Sequence, residues 1–378
     1  MLSGRVQLTL MIGPIVPVPA PRAVMEALND VTVTNTDEGR GGFQLTFALS
    51  TQSPLHTLFL LGSGMSSMPV IRVVIIATVN GTPNVIMDGA MTKFDIAPGS
   101  KSSQATLTVT GEDLSIFLDQ GDLSGLPFPA MPAEGRVALL LAKYAMLGIV
   151  PLVIPSVMID VPLPTSKIEA QEGTDLAYIT ALAERVGYVF YIDPGPLPGQ
   201  SIGYWGPQIK IGVPQPALST NMDGQSNVES LSFSFKNDKH ELPAYYYYDE
   251  KTKRTTQIPL PPITPLNPPL GLIPPIPTAL TPVAHDLAKL PVAQGIMRGL
   301  AASAKWAEVV DGEGTLDVVR YGRLLKSRAL VGVRGAGPAY DGLHYVKSVT
   351  HTIKRGEYKQ SFKLSRNGLI STVPRVAA

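Results

Sequence analysis

The sequence predicts an α+β protein that is mainly β, with two antiparallel β-barrel-like domains, an inserted small α/β layer and a Pro-rich insertion. Three observations support this fold class. Apolar and polar residues alternate with a period of two in the first and last parts of the chain. Between those parts the order helix, glycine, strand occurs twice, at 134–158 and 174–192. The segment 257–282 contains ten prolines and should interrupt the second β region.

The first β region is expected to contain about six strands joined by tight turns. In the segment 42–50, Phe and Leu residues face one way while Gln44 and Thr46 face the other, which is typical of a half-buried strand. Asn80-Gly81 is a favoured pair for a hairpin turn. Such strands and turns predict an antiparallel barrel or sandwich. The clearest strands are predicted at 42–50, 71–79, 85–94 and 105–110.

The α/β layer is defined best by the segment 168–192. Thr174 can cap its helix with a hydroxyl, Asp175 places negative charge at the positive helix end, and Gly187 offers the left-handed conformation that commonly ends a helix. We expect Leu176, Ile179 and Val186 to be buried, and Asp175 to serve the helix end without a catalytic role. The apolar face of the helix comprises Leu176, Ile179, Leu182, Ala183 and Val186.

The other unit of the layer, at 134–158, has the same order, with Gly148 as the helix stop. A short helix is expected to precede it, starting at Glu112, because Leu114 and Leu118 would share a face. Both units together form a small layer between the two β regions.

The second β region begins at 228–235, where Leu and Phe residues alternate with serines, and Tyr245–Tyr248 are expected to extend it. The proline-rich segment 257–282 should keep neither a strand ladder nor a helix. We expect a polyproline-II-like excursion that packs on its own domain or on a neighbouring subunit, because its other residues are mostly Leu and Ile. A helix at 292–309 follows.

The chain returns to strands near its end. Segments 345–353 and 358–365 flank a four-residue loop, Lys354-Arg355-Gly356-Glu357, and predict a hairpin with one wet face. These elements divide the chain into four parts. They are a first tube-like β-barrel domain at 1–117, an α/β insertion domain at 118–224, a second β-barrel domain at 225–255 and 310–370, and a Pro-rich loop plus helix at 256–309.

Composition excludes several classes of function. Lys and Arg total 31 against 30 Asp and Glu, and this net charge of +1 argues against nucleic-acid binding and against attraction to an anionic membrane. The absence of cysteine excludes disulfides, thiolate metal sites and a cysteine nucleophile. Charged residues make up 16%, which fits a chain whose surface meets other chains.

Two apolar stretches are better explained by soluble structure than by export or membrane insertion. The stretch 6–18 carries Pro14 and Pro17, so we expect a first β-strand rather than a signal peptide. The stretch 137–154 is interrupted by Lys143 and Pro151, so we expect a buried helix followed by a strand rather than a membrane span.

Sites for catalysis are not evident in the sequence. It has no P-loop, dinucleotide fingerprint, HExxH or GxSxG motif. The five histidines are scattered, and His344 and His351, seven residues apart on one strand, are expected on opposite faces. The acidic segment 311–317 lacks the ligand order of a calcium loop. We therefore predict no catalytic, cofactor-binding or metal-binding residues, no cofactor and no enzymatic activity, although paired carboxylates from distant positions stay open.

Three segments together resemble one family. They are EGTDLAYITALAERVGYVFY, VTGEDLSIFLD and VRGAGPAYDGLHYVKSVTHTIKRGEYKQSFKLSRNG. The first resembles the acidic helix and Gly-aromatic strand of phage late control D proteins and of the N-terminal hub part of type VI secretion spike proteins. The second resembles the segment that closes the first barrel of those proteins. The third resembles their C-terminal hairpin, and the order of the three segments agrees with the family.

The resemblance implies a structural baseplate hub of a contractile injection system or phage tail. Such a hub is a homotrimeric symmetry adaptor that joins the hexameric inner tube to the trimeric spike. The expected partners are two further copies of the chain, an inner tube protein, a separate spike protein and other baseplate proteins. We expect assembly in the cytoplasm, as part of a virion or injection particle that is then extracellular or membrane-attached. The alternatives are a tail-associated peptidoglycan hydrolase and a carbohydrate-binding β module, the latter suggested by the tyrosines at 245–248.

Overall fold

A computed structural model confirms the mainly β fold class and joins the two β regions into one large sheet of thirteen strands. The four-part division of the chain stays a prediction. No helix in the described part of the chain is long and apolar enough to cross a bilayer. The described residues are 6–14, 16–49, 71–97, 105–156, 168–222, 224, 226–236, 241–249, 252–261, 267–277, 279–282 and 292–373.

The first β region forms as its alternating pattern predicts. Asn80 and Gly81 take the left-handed conformation, with φ of 48° and 81°, in the hairpin between its fifth and sixth strands. The short helix expected from Glu112 is present as a 3₁₀ helix, Leu114–Asp119, with Leu114 and Leu118 buried. It begins two residues later than predicted because the seventh strand continues to Asp113, whose carboxylate accepts a hydrogen bond from Ser115 N and caps the helix. The elements are β1 Val6–Gly13, β2 Val18–Pro19, α1 Arg22–Ala27, β3 Leu28–Thr36, β4 Gly42–Leu49, β5 Arg72–Val79, β6 Thr82–Ala97 and β7 Ala105–Asp113.

The α/β layer follows with its own core and its own three-stranded sheet. Gly148 and Gly187 end the two helical segments in the left-handed conformation, with φ of 75° and 69°, as predicted. Thr174 Oγ1 accepts a hydrogen bond from Ala177 N and caps the second helix. The elements are β8 Pro127–Phe128, α2 Ala133–Ala142, a 3₁₀ turn Ala145–Leu147, β9 Ile149–Val153, β10 Glu169–Ala170, α3 Asp175–Arg185, β11 Val189–Pro194 and β12 Ser201–Gly206.

The core of the layer lies between α2, α3 and the sheet of β11, β12 and β9. Ile179 and Val186 are buried as predicted, but Leu176 is only half-buried, and Tyr178 is buried instead. Trp205 of β12 fills the centre and meets Tyr188 edge-on, with ring centroids 4.9 Å apart. The helical face is therefore rotated slightly from the one that the pattern indicated.

The second β region and the proline-rich segment complete the chain. The helix predicted at 292–309 ends at Trp306, and the terminal hairpin turns on two residues, Arg355 and Gly356, rather than on the predicted four. The elements are β13 Gln215–Ser219, β14 Val228–Phe235, β15 Glu241–Asp249, β16 Arg254–Pro259, β17 Gly271–Ile273, β18 Ala279–Pro282, α4 Val292–Trp306, β19 Val310–Asp317, α5 Val318–Tyr321, β20 Leu330–Arg334, β21 Gly342–Lys354, β22 Glu357–Arg366 and β23 Leu369–Ser371.

The large sheet runs without interruption from one β region into the other. Its main path is β14-β19-β22-β21-β3-β4-β7-β6-β5-β1-β2, and β20 joins β21 and carries β13. The two regions meet at a junction, here called the seam, where β21 lies antiparallel to β3 from Ser348 opposite Thr36 to Lys354 opposite Asp30. One core takes apolar side chains from both regions, and the sheet closes no barrel among the described residues.

The described part of the proline-rich segment contradicts the expected absence of a ladder. Three short strands, β16, β17 and β18, pair with β15 and β23. The prolines of β16 and β18, Pro259 and Pro282, are the last residues of their strands, where a missing N–H interrupts the ladder least. β15 belongs to a separate three-stranded sheet with β16 and β18, so it does not extend the large one as predicted. Its Tyr245 is only 1% exposed and packs on Leu260 and α4. The segment packs on its own chain through Leu260 and Leu270.

Asp175 ties the two helices of the layer together. Its carboxylate is 1% exposed and accepts hydrogen bonds from Gln171 Nε2 at 2.7 Å, Tyr144 Oη at 2.8 Å and Lys143 Nζ at 3.2 Å. Asp175 therefore lies at the helix end as expected, and in addition it connects the end of α2 to the start of α3.

The substitution Asp175→Ala should lower the free energy of unfolding by about 3 kcal/mol, because it leaves buried donors without an acceptor. Chemical denaturation measures the change, and Glu184→Ala, on the exposed face of α3, is the control. Equal stability of Asp175→Ala and the unmodified protein would show that the carboxylate is dispensable to the layer.

Candidate functional site

One face of the large sheet is lined with hydroxyl groups across seven neighbouring strands. Thr34 and Thr350 share a hydrogen bond of 3.1 Å across the seam, and Ser230 and Thr315 share one of 2.8 Å between β14 and β19. We call this the hydroxyl face. Its serines and threonines are Ser230, Ser232, Ser234, Thr315, Ser361, Ser348, Thr350, Thr352, Thr32, Thr34, Thr36, Thr46, Thr106, Thr108 and Thr110.

The hydroxyl face results from the alternation of side chains along the strands between their bulges, since the same strands send their apolar residues into the core on the other side. A shallow groove of about 340 Å³ runs over its C-terminal half. Cross-strand neighbours Glu313 and Lys363 lie in the groove among small hydroxyl side chains. The groove is therefore open, and its polar lining groups are hydroxyls and this one pair of opposite charges.

Charges on the hydroxyl face are matched by nearby opposite charges. The side chains in these pairs are mostly a third or more exposed, so each pair contributes little stability. Their effect is to leave a nearly neutral surface that holds neither anions nor cations strongly. The pairs are Lys359 with Glu229 and Glu357, Lys354 with Asp30, and Lys93 with Asp95.

A buried ionic cluster lies behind the seam. Glu308, which follows α4, binds Lys210 and, at 3.1 Å, Lys347 of β21. Asp37, directly after β3, accepts a hydrogen bond from Gln208 Nε2 at 3.2 Å. Asp37, Lys210 and Glu308 are each 6% exposed or less. The cluster joins the segment after β12, the end of α4 and both strands of the seam.

The pKa values of the two carboxyl groups in the cluster are shifted in opposite directions. Burial raises the pKa of Asp37 to about 6, although Lys347 opposes the shift. Burial also acts to raise the pKa of Glu308, but Lys210 and Lys347 outweigh it and hold that pKa below its usual value. Glu308 is therefore the charged partner of both lysines, and Asp37 is the group that takes up a proton first.

Arg328 also pins the α/β layer to the seam. Its guanidinium stacks over the Tyr191 ring at 3.8 Å and donates to Asp193 Oδ1 at 2.6 Å and to the carbonyl oxygen of Thr36. Arg328 adopts a left-handed conformation with φ of 60°, which is unfavourable for a residue with a side chain. The contacts that it makes with the layer and with β3 account for that strained position.

A third contact joins the layer to the first β region. Arg72 of β5 and Asp88 of β6 form a bidentate pair, with two nitrogen to oxygen distances of 2.7 Å. Ser201 Oγ of β12 donates to the same carboxylate at 3.1 Å, and Arg72 also donates to the carbonyl oxygen of Gly199. All three side chains are nearly fully buried. The layer is thus attached to both β regions and spans the seam.

The expectation that His344 and His351 face opposite ways is wrong. A β-bulge between Val346 and Ser348 shifts the alternation of β21, so both rings turn toward the interior. Burial lowers the pKa of His344 to about 3, helped by Arg366, and that of His351 to about 4. His351 contacts the Tyr358 hydroxyl at 2.8 Å, so both histidines are neutral core residues near neutral pH.

The other residues weighed for chemistry are not brought together. Asp311, Glu313 and Asp317 lie along β19, and Asp317 caps α5 through Arg320 N. No group of three or more potential metal ligands occurs among the described residues. His56, His240 and His285 fall outside them. Tyr245 is buried, which removes it from the aromatic surface that suggested carbohydrate binding.

The residues of the ionic cluster were missed by the sequence reasoning. Asp37, Lys210, Glu308 and Lys347 come from four distant parts of the chain and share no motif. The one local signal is Lys210, which stands between Ile209 and Ile211 in an otherwise apolar segment. A lone charge in such a segment indicates a buried partner.

Arg328→Lys should lower the free energy of unfolding by about 2 kcal/mol, because lysine keeps the charge but cannot stack on Tyr191 and donate to two acceptors at once. Thermal unfolding at matched protein concentration measures the loss. Arg323→Lys is the control, since Arg323 is exposed in the same connection. A loss of the same size in both variants would contradict a pinning role.

Asp37→Asn should raise the free energy of unfolding at pH 7.5 by at most about 3 kcal/mol. This limit is the pKa shift of Asp37 converted at about 1.36 kcal/mol per pKa unit. A folded pKa of about 6, above the value of 3.8 expected when unfolded, means that stability is lost as pH rises through 6. The advantage of the variant should therefore vanish near pH 4. Chemical denaturation at several pH values between 4 and 8 measures the difference in stability, with Glu172→Gln as a control at an exposed carboxylate. If Asp37→Asn is less stable than the unmodified protein at pH 7.5, the attraction of Asp37 to Lys347 outweighs the cost of its burial.

Comparison with known proteins identifies structural relatives only. No protein-family model and no curated protein sequence matches the chain. A tail protein from Neisseria meningitidis MC58 superposes with a TM-score of 0.62 at 13% identity, covering 97% of this chain and 98% of that one. A 43 kDa tail protein of prophage MuSo2 from Shewanella oneidensis gives 0.58 at 13% identity, with 95% and 98% covered.

A third similar structure comes from Escherichia coli, with a TM-score of 0.50 at 11% identity, covering 93% of this chain and 75% of that one. It is described as a component of the type VI secretion system with structural similarity to the T4 bacteriophage tail proteins gp27 and gp5. At these identities the likeness is one of fold. The resemblance inferred from the sequence is confirmed at that level: the chain has the fold of phage tail proteins and of a type VI secretion component.

Proposed function

We propose that the protein is a structural baseplate hub of a contractile injection system or phage tail, without enzymatic activity. Three copies would form a ring that joins a hexameric inner tube to a trimeric spike, with the spike supplied by a separate protein. Assembly would take place in the cytoplasm, before the hub enters a virion or injection particle. The fold shared with tail proteins over almost the whole chain supports this proposal.

The observation that carries the proposal is the continuous hydroxyl face. It extends over four strands of each β region, since β6 adds Lys93 and Asp95 beside the seven strands that carry the hydroxyls, and the seam joins the two sets without a break. Each chain therefore presents two comparable four-stranded units, so three chains would present six. A ring with that repeat matches a six-fold tube, whereas its three chains match a three-fold spike.

A passage through such a ring would be lined by the hydroxyl face. Its small side chains and matched charges form a surface that a passing polymer does not bind strongly. The α/β layer lies behind the seam, where Arg328 and the ionic cluster hold it to both regions. The layer would keep the angle between the two units constant when a contracting sheath pushes on the tube.

The mass of the purified protein in solution tests the proposal. Light scattering and native mass spectrometry should give three times the 40.3 kDa of one chain, alone or with a tube or spike protein from the same particle. Glu184→Ala, which alters only an exposed side chain, is the control.

Two results would overturn the proposal. One is a chain that stays monomeric at all concentrations and binds neither a tube nor a spike protein. The other is clearing of cell-wall substrate in a zymogram that a single carboxylate substitution abolishes, since this would establish the hydrolase instead.

A further inference from the structure

One exposed part of the proline-rich segment is not explained by the packing of the chain. Between β17 and β18, residues 274–277 have the sequence Pro-Pro-Ile-Pro and form no strand. Ile276 is 81% exposed, and Leu272 and Ile273 just before it are 62% and 50% exposed. We call residues 273–277 the proline bridge. Most of its apolar side chains lie in solvent.

Both ends of the proline bridge are anchored to the rest of the protein. Before it, β17 pairs with β23, and Asn367 Oδ1 accepts hydrogen bonds from Leu270 N at 2.7 Å and from Gly271 N at 3.4 Å. A β-carbon on Gly271 would lie 2.4 Å from the carbonyl carbon of Gly368, so the two backbones are in direct contact. After the bridge, β18 pairs with β15. The bridge is therefore held in place on two sides.

The prolines determine the conformation of the bridge. Each proline ring holds its own φ at about −65°, and a residue that precedes proline is confined to extended conformations. Ile273, Pro274 and Ile276 each precede a proline. These constraints together favour polyproline II, a helix with about three residues per turn. Residues three apart in the sequence therefore share one side of the bridge.

The exposure of the side chains follows that period. Ile273 and Ile276 form one ridge, Pro274 and Pro277 form the next, and all four residues are exposed. Pro275, on the third side, is half-buried. The bridge thus presents two apolar ridges to solvent. The second ridge has the spacing Pro-x-x-Pro, which is typical of segments that aromatic-lined grooves bind.

The chemistry of the bridge restricts what can cover it. Three of the four residues at 274–277 are prolines without a backbone N–H, so a further strand could not form a regular ladder there. The chain from 255 to 285 contains no Asp, Glu, Lys or Arg, so it offers no charge to nucleic acid, to an anionic membrane or to an ion pair. Tyrosine and tryptophan rings fit what the bridge does offer, because they pack on apolar ridges and donate hydrogen bonds to backbone carbonyls.

An aromatic-lined groove for the bridge has to come from another protein. Of the aromatic side chains that the structure describes in this chain, only Phe235 is exposed. A single ring does not form a groove. A second copy of the chain therefore offers no described surface of the required kind.

We propose that residues 273–277 are a preformed polyproline II ligand for a different protein, whose groove is lined with tyrosine and tryptophan rings. Anchoring at both ends reduces the conformational entropy lost on binding, because the bound shape already exists. The contact uses side-chain ridges and backbone carbonyls instead of strand addition. It goes beyond the proposed hub function and does not depend on it, since it involves neither the hydroxyl face nor the seam.

Site-specific photo-crosslinking in the native host cells tests the proposal. The photo-reactive residue p-benzoylphenylalanine replaces Ile276 in one variant and Val213 in the control, since Val213 is 93% exposed in the loop after β12. Irradiation should give one dominant adduct from position 276 that position 213 does not give. Mass spectrometry should locate the new bond in a groove of tyrosine and tryptophan residues on one partner protein.

Proline variants then test whether the ridge itself is recognised. Pro274→Ala combined with Pro277→Ala should weaken binding to the crosslinked partner about tenfold or more, because it removes two contact rings and releases the fixed φ angles. Calorimetric titration of the purified proteins measures the affinity. Pro214→Ala, at an exposed proline beside Val213, is the control and should bind like the unmodified protein. Thermal unfolding should be unchanged in both variants, since the replaced rings are exposed.

Four results would overturn the proposal. They are the absence of an adduct specific to position 276, an adduct with a second copy of this chain or with lipid, a bond outside an aromatic groove, and undiminished binding by the double proline variant. None of them bears on the hub proposal, which is tested by the mass of the protein. Conversely, a monomeric protein that gives the specific adduct would overturn the hub and leave the ligand role standing.

Discussion

The backbone pairing of β21 with β3 is the constraint on which the rest of the structure depends. It joins residues near 30 to residues near 350, so the first and last parts of the chain form one sheet. Closing a loop of that size carries a conformational entropy cost that grows only slowly with length. Antiparallel hydrogen bonds and a common core offset it, because both regions bury apolar side chains together. Separate barrels with separate cores would leave the angle between them free.

The α/β layer limits that angle further. Its contacts with the β regions centre on charged groups. On one side Ser201 and Gly199 of the layer bind the Arg72–Asp88 pair, and on the other side Arg328 and Lys210 form ion pairs. Buried ion pairs gain little net stability, because removing the charges from water costs about as much as their attraction returns. Their geometry is restrictive, however, since losing one partner leaves a buried charge. A contact of this kind favours one orientation of the layer.

The same architecture keeps the histidines and the β19 carboxylates that the structure describes apart from one another. The two described histidines are held neutral in the core by burial, and the carboxylates of β19 are spread along a strand. The polar surface is broad and shallow, with hydroxyl groups at regular intervals and charges matched in pairs.

The sequence alone determined what depends on neighbours along the chain. The Asn80-Gly81 turn, the Thr174 cap, the glycine ends of the helices and the alternating strands follow from local conformational preference. The tertiary structure decided what depends on distant partners: the seam, the cluster around Glu308 and the bulge before Ser348 that turns both histidines inward. Period-two reasoning cannot detect a bulge, because one extra residue reverses every later side chain and is selected by the pairing strand. The fold class could therefore be predicted from pattern, whereas the hydroxyl face became one surface only when β21 met β3.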